Sequence, residues 1–157
     1  MMKYAICNET FQDWPFEKAF QFAYDCGYRG LEIAPFTINK DVRLISAEER
    51  ATVRRQADDA GLTILGLHWL LAFTEGFYLT SPEAEVRQAT TAYLEELGRF
   101  CSDLGGDIMV LGSPHQRNLL PGVSLDEAMG YASEVLQRCM PTFQELGIRL
   151  AVEPLGP

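Results

Sequence analysis

The chain has 157 residues, of which 47% are hydrophobic and 22% charged, a composition typical of one globular domain. Its formal net charge is −9, and no basic stripe with interleaved aromatic residues occurs, so we do not expect a nucleic acid partner. No run of about 18 apolar residues occurs and the first residues lack a signal-peptide pattern, so we expect no membrane partner and favour a cytoplasmic location.

The four cysteines, Cys7, Cys26, Cys101 and Cys139, lack the spacings of a zinc site or a disulfide framework. A reducing compartment such as the cytoplasm suits them best. The last three lie on the apolar stripes of predicted helices, so we expect buried thiols there. Cys7 has no evident base partner in the sequence, so thiol catalysis is not predicted.

Short apolar runs alternate with longer amphipathic runs along the chain. The short runs, rich in Ile, Leu and Val, predict buried parallel strands. They cover Lys3–Asn8, Gly30–Ala34, Leu62–His68, Asp107–Gly112 and Ile148–Glu153.

Four amphipathic helices are predicted between these strands. The first follows Pro15, the second Ser46, the third the Ser81-Pro82-Glu83 segment and the fourth Ser124. Ser46 and Ser124 each have a glutamate three residues on, Glu49 and Glu127, as in a capping box. Each helix ends before a glycine suited to a left-handed C-terminal residue: Gly27, Gly61, Gly105 and Gly147. Pro141 predicts a kink in the fourth helix.

Strand–helix alternation with right-handed crossovers predicts a parallel α/β sheet. A doubly wound five-stranded sheet would need a fifth helix, and Pro154 and Pro157 do not favour one. The alternative is a (β/α)8 TIM barrel, of which residues 1–157 would be the N-terminal part, covering about the first half from β1 to β5.

Either architecture binds ligands at the carboxyl ends of its strands, and polar residues collect there. Candidate residues are Glu32, His68, His115, Arg117 and Glu153. Carboxylates and imidazoles suit a divalent metal with open positions, and Glu153 terminates an apolar strand, where an unpaired charge is costly. Four of them also have a structural interpretation: a solvated strand end for Glu153, an ion pair for Glu32, a core histidine for His68 and a solvated loop for Arg117. Trp69 and Phe73 predict an apolar wall.

Four segments resemble the sugar phosphate isomerase/epimerase family, which has the xylose isomerase-like TIM barrel. They are GYRGLEIA (27–34), GLHW (66–69), LGSPHQR (111–117) and VEPL (152–155), in the family's order. The resemblance implies a divalent cation (Mn, Mg, Co or Zn) and proton transfer through an enediolate of a small sugar or sugar phosphate. It assigns Glu153 as catalytic residue and metal ligand. Glu32 and His68 match positions that line the substrate pocket, and we expect His115 and Arg117 to bind substrate as well.

The family takes its other metal ligands, an aspartate, a histidine and a second glutamate, from strands six to eight. We therefore expect a truncated enzyme that is inactive alone. Two alternatives remain at this stage: an endonuclease-IV-like zinc hydrolase using His68 and His115, and a non-catalytic half-barrel that binds or dimerises. Homo-oligomerisation is left open by the sequence.

Overall fold

The computed structural model describes residues 2–154, which alternate between strands and helices as predicted. Leu155, the last residue of the fifth-strand motif, lies outside the described residues, as does Pro157. The strands are β1 (Ala5–Cys7), β2 (Gly30–Ile33), β3 (Thr63–Leu67), β4 (Ile108–Leu111) and β5 (Arg149–Val152). The helices are α1 (Phe16–Asp25), α2 (Ala47–Asp59), α3 (Ala84–Asp103) and α4 (Leu125–Leu146). Each strand lies inside its predicted range.

All five strands are parallel and lie in chain order, β1-β2-β3-β4-β5. A doubly wound sheet reverses its strand order at a switch point, whereas a barrel keeps the chain order around its circumference. The fold is therefore α/β and matches half of a TIM barrel. Within residues 2–154, β1 and β5 are the two edges of this sheet.

The helix boundaries follow the predicted signals. Ser46 and Ser124 both form complete capping boxes with the glutamates three residues on. The four glycines after the helices have positive φ values between 70° and 96°, the conformation that a residue without a Cβ adopts freely. Pro141 lies inside α4, which continues through it to Leu146.

The core lies between the helices and the sheet and contains large side chains from both, including Phe20, Leu31, Phe100 and Phe143. Cys101 and Cys139 are buried in it, as predicted, and desolvation raises the pKa of each thiol to about 12. The prediction for Cys26 is wrong. It follows the last residue of α1 and is exposed.

In the part of the chain that the structure describes, no helix has both the length and the apolar character needed to cross a bilayer.

Candidate functional site

Three of the predicted site residues meet at the carboxyl edge of the sheet. Glu32 lies within β2, and His68 and Glu153 directly follow β3 and β5. The Nδ1 atom of His68 lies 3.3 Å from Oε2 of Glu32, and its Nε2 atom lies 3.5 Å from Oε2 of Glu153. The imidazole therefore bridges two carboxylates that come from strands on opposite sides of it.

The strand register explains why these side chains share one face. Cys7 is the Cα partner of Glu32, and Glu32 is the partner of Gly66, two residues before His68. Side chains alternate between the two faces of a strand, so residues 66 and 68 point to the same side. The ladder continues beyond the strands, because the His68 amide donates to Ile33 and the Glu153 amide donates to Leu111.

The neighbours of His68 favour its protonated form. Hydrogen bonds with the Cys7 side chain and with Glu32, together with the charge of Glu32, raise the pKa of His68 to about 10 against the effect of burial. An imidazolium between two carboxylates holds them in place and compensates their charge. Cys7, at the end of β1, thus lies on the same face as Glu32 and His68, a neighbourhood that the sequence alone did not indicate.

Gly112 and Arg117 hold Glu153 from the side of β4. A Cβ atom on Gly112 would overlap Oε2 of Glu153, so glycine leaves the space that the carboxylate fills. The Nη2 atom of Arg117 donates a 2.8 Å hydrogen bond to the carbonyl oxygen of Glu153. Arg117 therefore fixes the backbone that carries the carboxylate, and its other N–H groups are available to a ligand.

His115 lies in the short 3-10 helix Pro114–Gln116 after β4, and its side chain is exposed. Within residues 2–154 no hydrogen bond or ion pair links it to Glu32, His68 or Glu153.

Asn8 is a supporting residue that sequence reasoning left without a role. It directly follows β1 and is only 2% exposed. Its Oδ1 atom accepts from the Ala34 amide at 2.8 Å, and its Nδ2 atom donates to Thr37 at 2.8 Å. It ties the ends of β1 and β2 together beneath the rim. In the sequence, the signal for this role was an amide side chain directly after a predicted buried strand.

A cavity of about 220 Å³ lies beside the bridged carboxylates. It is lined by His68, Trp69, Gly112, Ser113, Pro114 and Glu153. The Glu153 side chain is 39% exposed, so a small molecule in this cavity can contact its carboxylate.

Glu153 and His68 offer an oxygen and a nitrogen, donors that suit several divalent cations. Among residues 2–154, however, no three His, Cys, Asp or Glu side chains are placed to hold a metal ion together. Both ring nitrogens of His68 also already face carboxylates, Nδ1 that of Glu32 and Nε2 that of Glu153. These residues fit one carboxylate ligand and its support, and do not form a complete metal site.

The fold is a parallel α/β half-barrel, and a carboxylate–imidazole–carboxylate cluster lies at the carboxyl edge of its sheet. The sequence model of the Xylose isomerase-like TIM barrel family matches residues 20–157, and the chain belongs to this family. No curated protein sequence matches the chain.

The chain is similar in fold to several solved sugar epimerases. A D-psicose 3-epimerase in the presence of D-fructose has a TM-score of 0.77 at 20% identity, over 98% of this chain and 53% of that one. D-psicose 3-epimerase with D-tagatose from Clostridium cellulolyticum H10 has a TM-score of 0.78 at 14% identity, with the same coverage. The apo 3-keto-D-glucoside 4-epimerase from E. coli has 0.75 at 19%, over 99% and 57%. The chain thus spans about half the length of these structures, and at such identities the likeness establishes the fold.

Proposed function

We propose that the intact barrel to which these strands belong is an isomerase or epimerase of a small sugar or sugar phosphate. The contact chain Glu32–His68–Glu153 beside the cavity carries this proposal. It presents one carboxylate that is both oriented and accessible, which is what abstraction of a carbon-bound proton requires. The sugar epimerases of similar fold support the choice of substrate class.

In the proposed reaction, Glu153 removes the proton from the carbon beside the sugar carbonyl. The C–H electron pair forms a carbon–carbon double bond while the carbonyl π pair moves to oxygen, which gives an enediolate. In an isomerase, Glu153 returns the proton to the former carbonyl carbon while the hydroxyl proton of the adjacent carbon passes to the other oxygen. In an epimerase, Glu153 keeps the proton, and a second acid from strands outside the described residues protonates the opposite face of the same carbon. His68 orients the Glu153 carboxylate while Glu32 holds His68. We assign His115 and the remaining N–H groups of Arg117 to substrate hydroxyl groups.

A divalent cation (Mn, Mg, Co or Zn) is also part of the proposal. Glu153 would supply one carboxylate oxygen, and the other ligands would come from strands outside the described residues. Such an ion stabilises negative charge on a carbonyl oxygen. We also propose a reducing, cytoplasmic location, which the free thiols of Cys7, Cys26, Cys101 and Cys139 support.

Exchange of carbon-bound hydrogen tests the proposal. The intact barrel is incubated in D2O with D-fructose, D-tagatose or D-allulose, and deuterium beside the carbonyl is followed by NMR. Glu153→Gln should lower exchange by about 100-fold or more, because it removes the base. Glu145→Gln is the matched control, since Glu145 is exposed on α4. Equal exchange in Glu153→Gln and wild type, or no exchange with any sugar or its phosphate, would reject the proposal.

A second candidate, a dimerising half-barrel, is favoured by an apolar surface at the β1 edge. A cavity of about 470 Å³ there is lined by Tyr4 and Phe22, which are 59% and 49% exposed. It lies between β1 and α1, away from the carboxylate cluster. Sedimentation equilibrium of residues 1–157 distinguishes the two: a stable homodimer whose tyrosine and phenylalanine amides become protected from exchange would favour the module.

A further inference from the structure

Trp69 stands beside the carboxylate cluster and belongs to a group of three aromatic side chains that the proposed proton transfer leaves without a role. Phe36 follows β2, and Trp69 and Phe73 lie in the loop after β3. The ring of Phe36 contacts both others edge-on, at 6.3 Å from Trp69 and 4.7 Å from Phe73 between ring centroids. We call these three residues the aromatic wall.

The backbone of this loop is strained at the two residues that carry the Trp69 and Phe73 rings. Trp69 and Phe73 have φ values of 58° and 61°, in the left-handed region that bulky residues rarely occupy. Strained backbone of this kind persists only where surrounding structure enforces it, and it concentrates at functional sites.

The enforcing contacts are visible on either side of the strained positions. Leu70 and Leu71 are buried at 1% and 0% exposure, and the Leu71 amide donates a 3.0 Å hydrogen bond to the buried Ser113 hydroxyl. With its leucines in the core, the loop turns Trp69 and Phe73 outward, where they are 39% and 62% exposed. Burial of the leucines thus fixes the aromatic wall in position.

We propose that the aromatic wall binds the carbon–hydrogen face of the sugar, with Trp69 as the ring in direct contact. Trp69 lines the same cavity as His68 and Glu153. Its ring centroid lies 6.1 Å from that of His68. A sugar has an apolar C–H face and a hydroxyl rim, so it can meet the aromatic wall and the carboxylate cluster together. Phe36 and Phe73 position the Trp69 ring.

This inference rests on the proposed function for its ligand class and is tested separately from it. Trp69→Gly removes the ring and suits the left-handed backbone, so the loop keeps its conformation. In the intact barrel it should raise KM by about tenfold, the loss of one aromatic contact, with kcat changed by less than about threefold. Trp69→Phe retains an aromatic face and should restore most of the KM.

A binding measurement gives the second readout. Within residues 1–157, Trp14→Phe leaves Trp69 as the remaining tryptophan. Titration of this variant with D-fructose or D-tagatose should change its emission, and the part of the change that is lost on adding Trp69→Phe reports on Trp69. If sugar changes the Trp69 emission but no carbon-bound hydrogen exchanges in D2O, the sugar-binding role of the aromatic wall stands and the proposed isomerase activity is rejected. An unchanged KM in Trp69→Gly, or a loss confined to kcat, would overturn the aromatic wall. So would a Trp69 emission that no sugar alters.

Discussion

Gly112→Ala is the change that most directly probes the position of Glu153. The new Cβ would overlap Oε2 of Glu153 and lie 3.6 Å from its Cδ atom, so the carboxylate must rotate away. This rotation also breaks its 3.5 Å contact with Nε2 of His68. We expect a displacement of about 1 Å at the reacting oxygen, which costs about 100-fold in rate or about 2.7 kcal/mol of activation free energy.

Stability should respond differently from activity. Gly112 is not among the glycines with positive φ, so alanine fits the backbone there and reduces the entropy of the unfolded chain. We expect the free energy of unfolding to change by less than about 1 kcal/mol, because that gain offsets part of the crowding.

The assay compares kcat/KM of the intact barrel with urea unfolding of the same variants. Gly130→Ala is the matched control. Gly130 is an exposed glycine within α4 with no atom near its added Cβ, so alanine should stabilise the helix by about 1 kcal/mol and leave kcat/KM unchanged. If Gly112→Ala keeps kcat/KM within twofold of wild type, the orientation of Glu153 by the rim does not govern the chemistry.

Two further predictions concern groups outside the site. At pH 8 the exposed Cys26 should react quickly with a thiol reagent. Cys101 and Cys139 should react only on unfolding, because burial raises the pKa of each thiol to about 12. Rapid reaction of all four cysteines in the native protein would contradict the packing described above. The Ser124 hydrogen bonds lower the pKa of Glu127 below its ordinary value of 4.5. This cap therefore stabilises the fold above that pH, and the stabilisation is lost as pH falls through the lowered pKa. Ser124→Ala should therefore lower the urea midpoint at pH 7 and remove this part of the acid dependence; an identical midpoint would show that α4 does not need its cap.

The elements were predictable because their signals are local. A serine with a glutamate three residues on specifies a helix start through its own hydrogen bonds, and Ser46 and Ser124 do so here. A glycine after a helix specifies its end through backbone freedom. The choice between barrel and doubly wound sheet depended instead on strand order, which contacts between distant segments decide.

The aromatic wall lay only partly within reach of sequence reasoning. Trp69 and Phe73 were predicted to form an apolar surface, but their left-handed backbone opposes the local preference for glycine or asparagine. Burial of Leu70 and Leu71 overrides that preference. Ser113, whose hydroxyl accepts from the Leu71 amide, lies 42 residues away along the chain, too far for a local pattern to indicate.

The meeting of Glu32 with His68 depends on one irregularity of the sheet. Leu31 pairs with Ile64, but Glu32 pairs with Gly66, so β3 contains one extra residue opposite β2. Strict alternation from Ile64 would turn His68 toward the helices and away from Glu32. With the extra residue, Leu67 takes the buried face instead and is fully buried, while His68 turns to the face of Cys7 and Glu32. The bulge therefore places the imidazole between the two carboxylates, and period-two reasoning from sequence has no means of locating it.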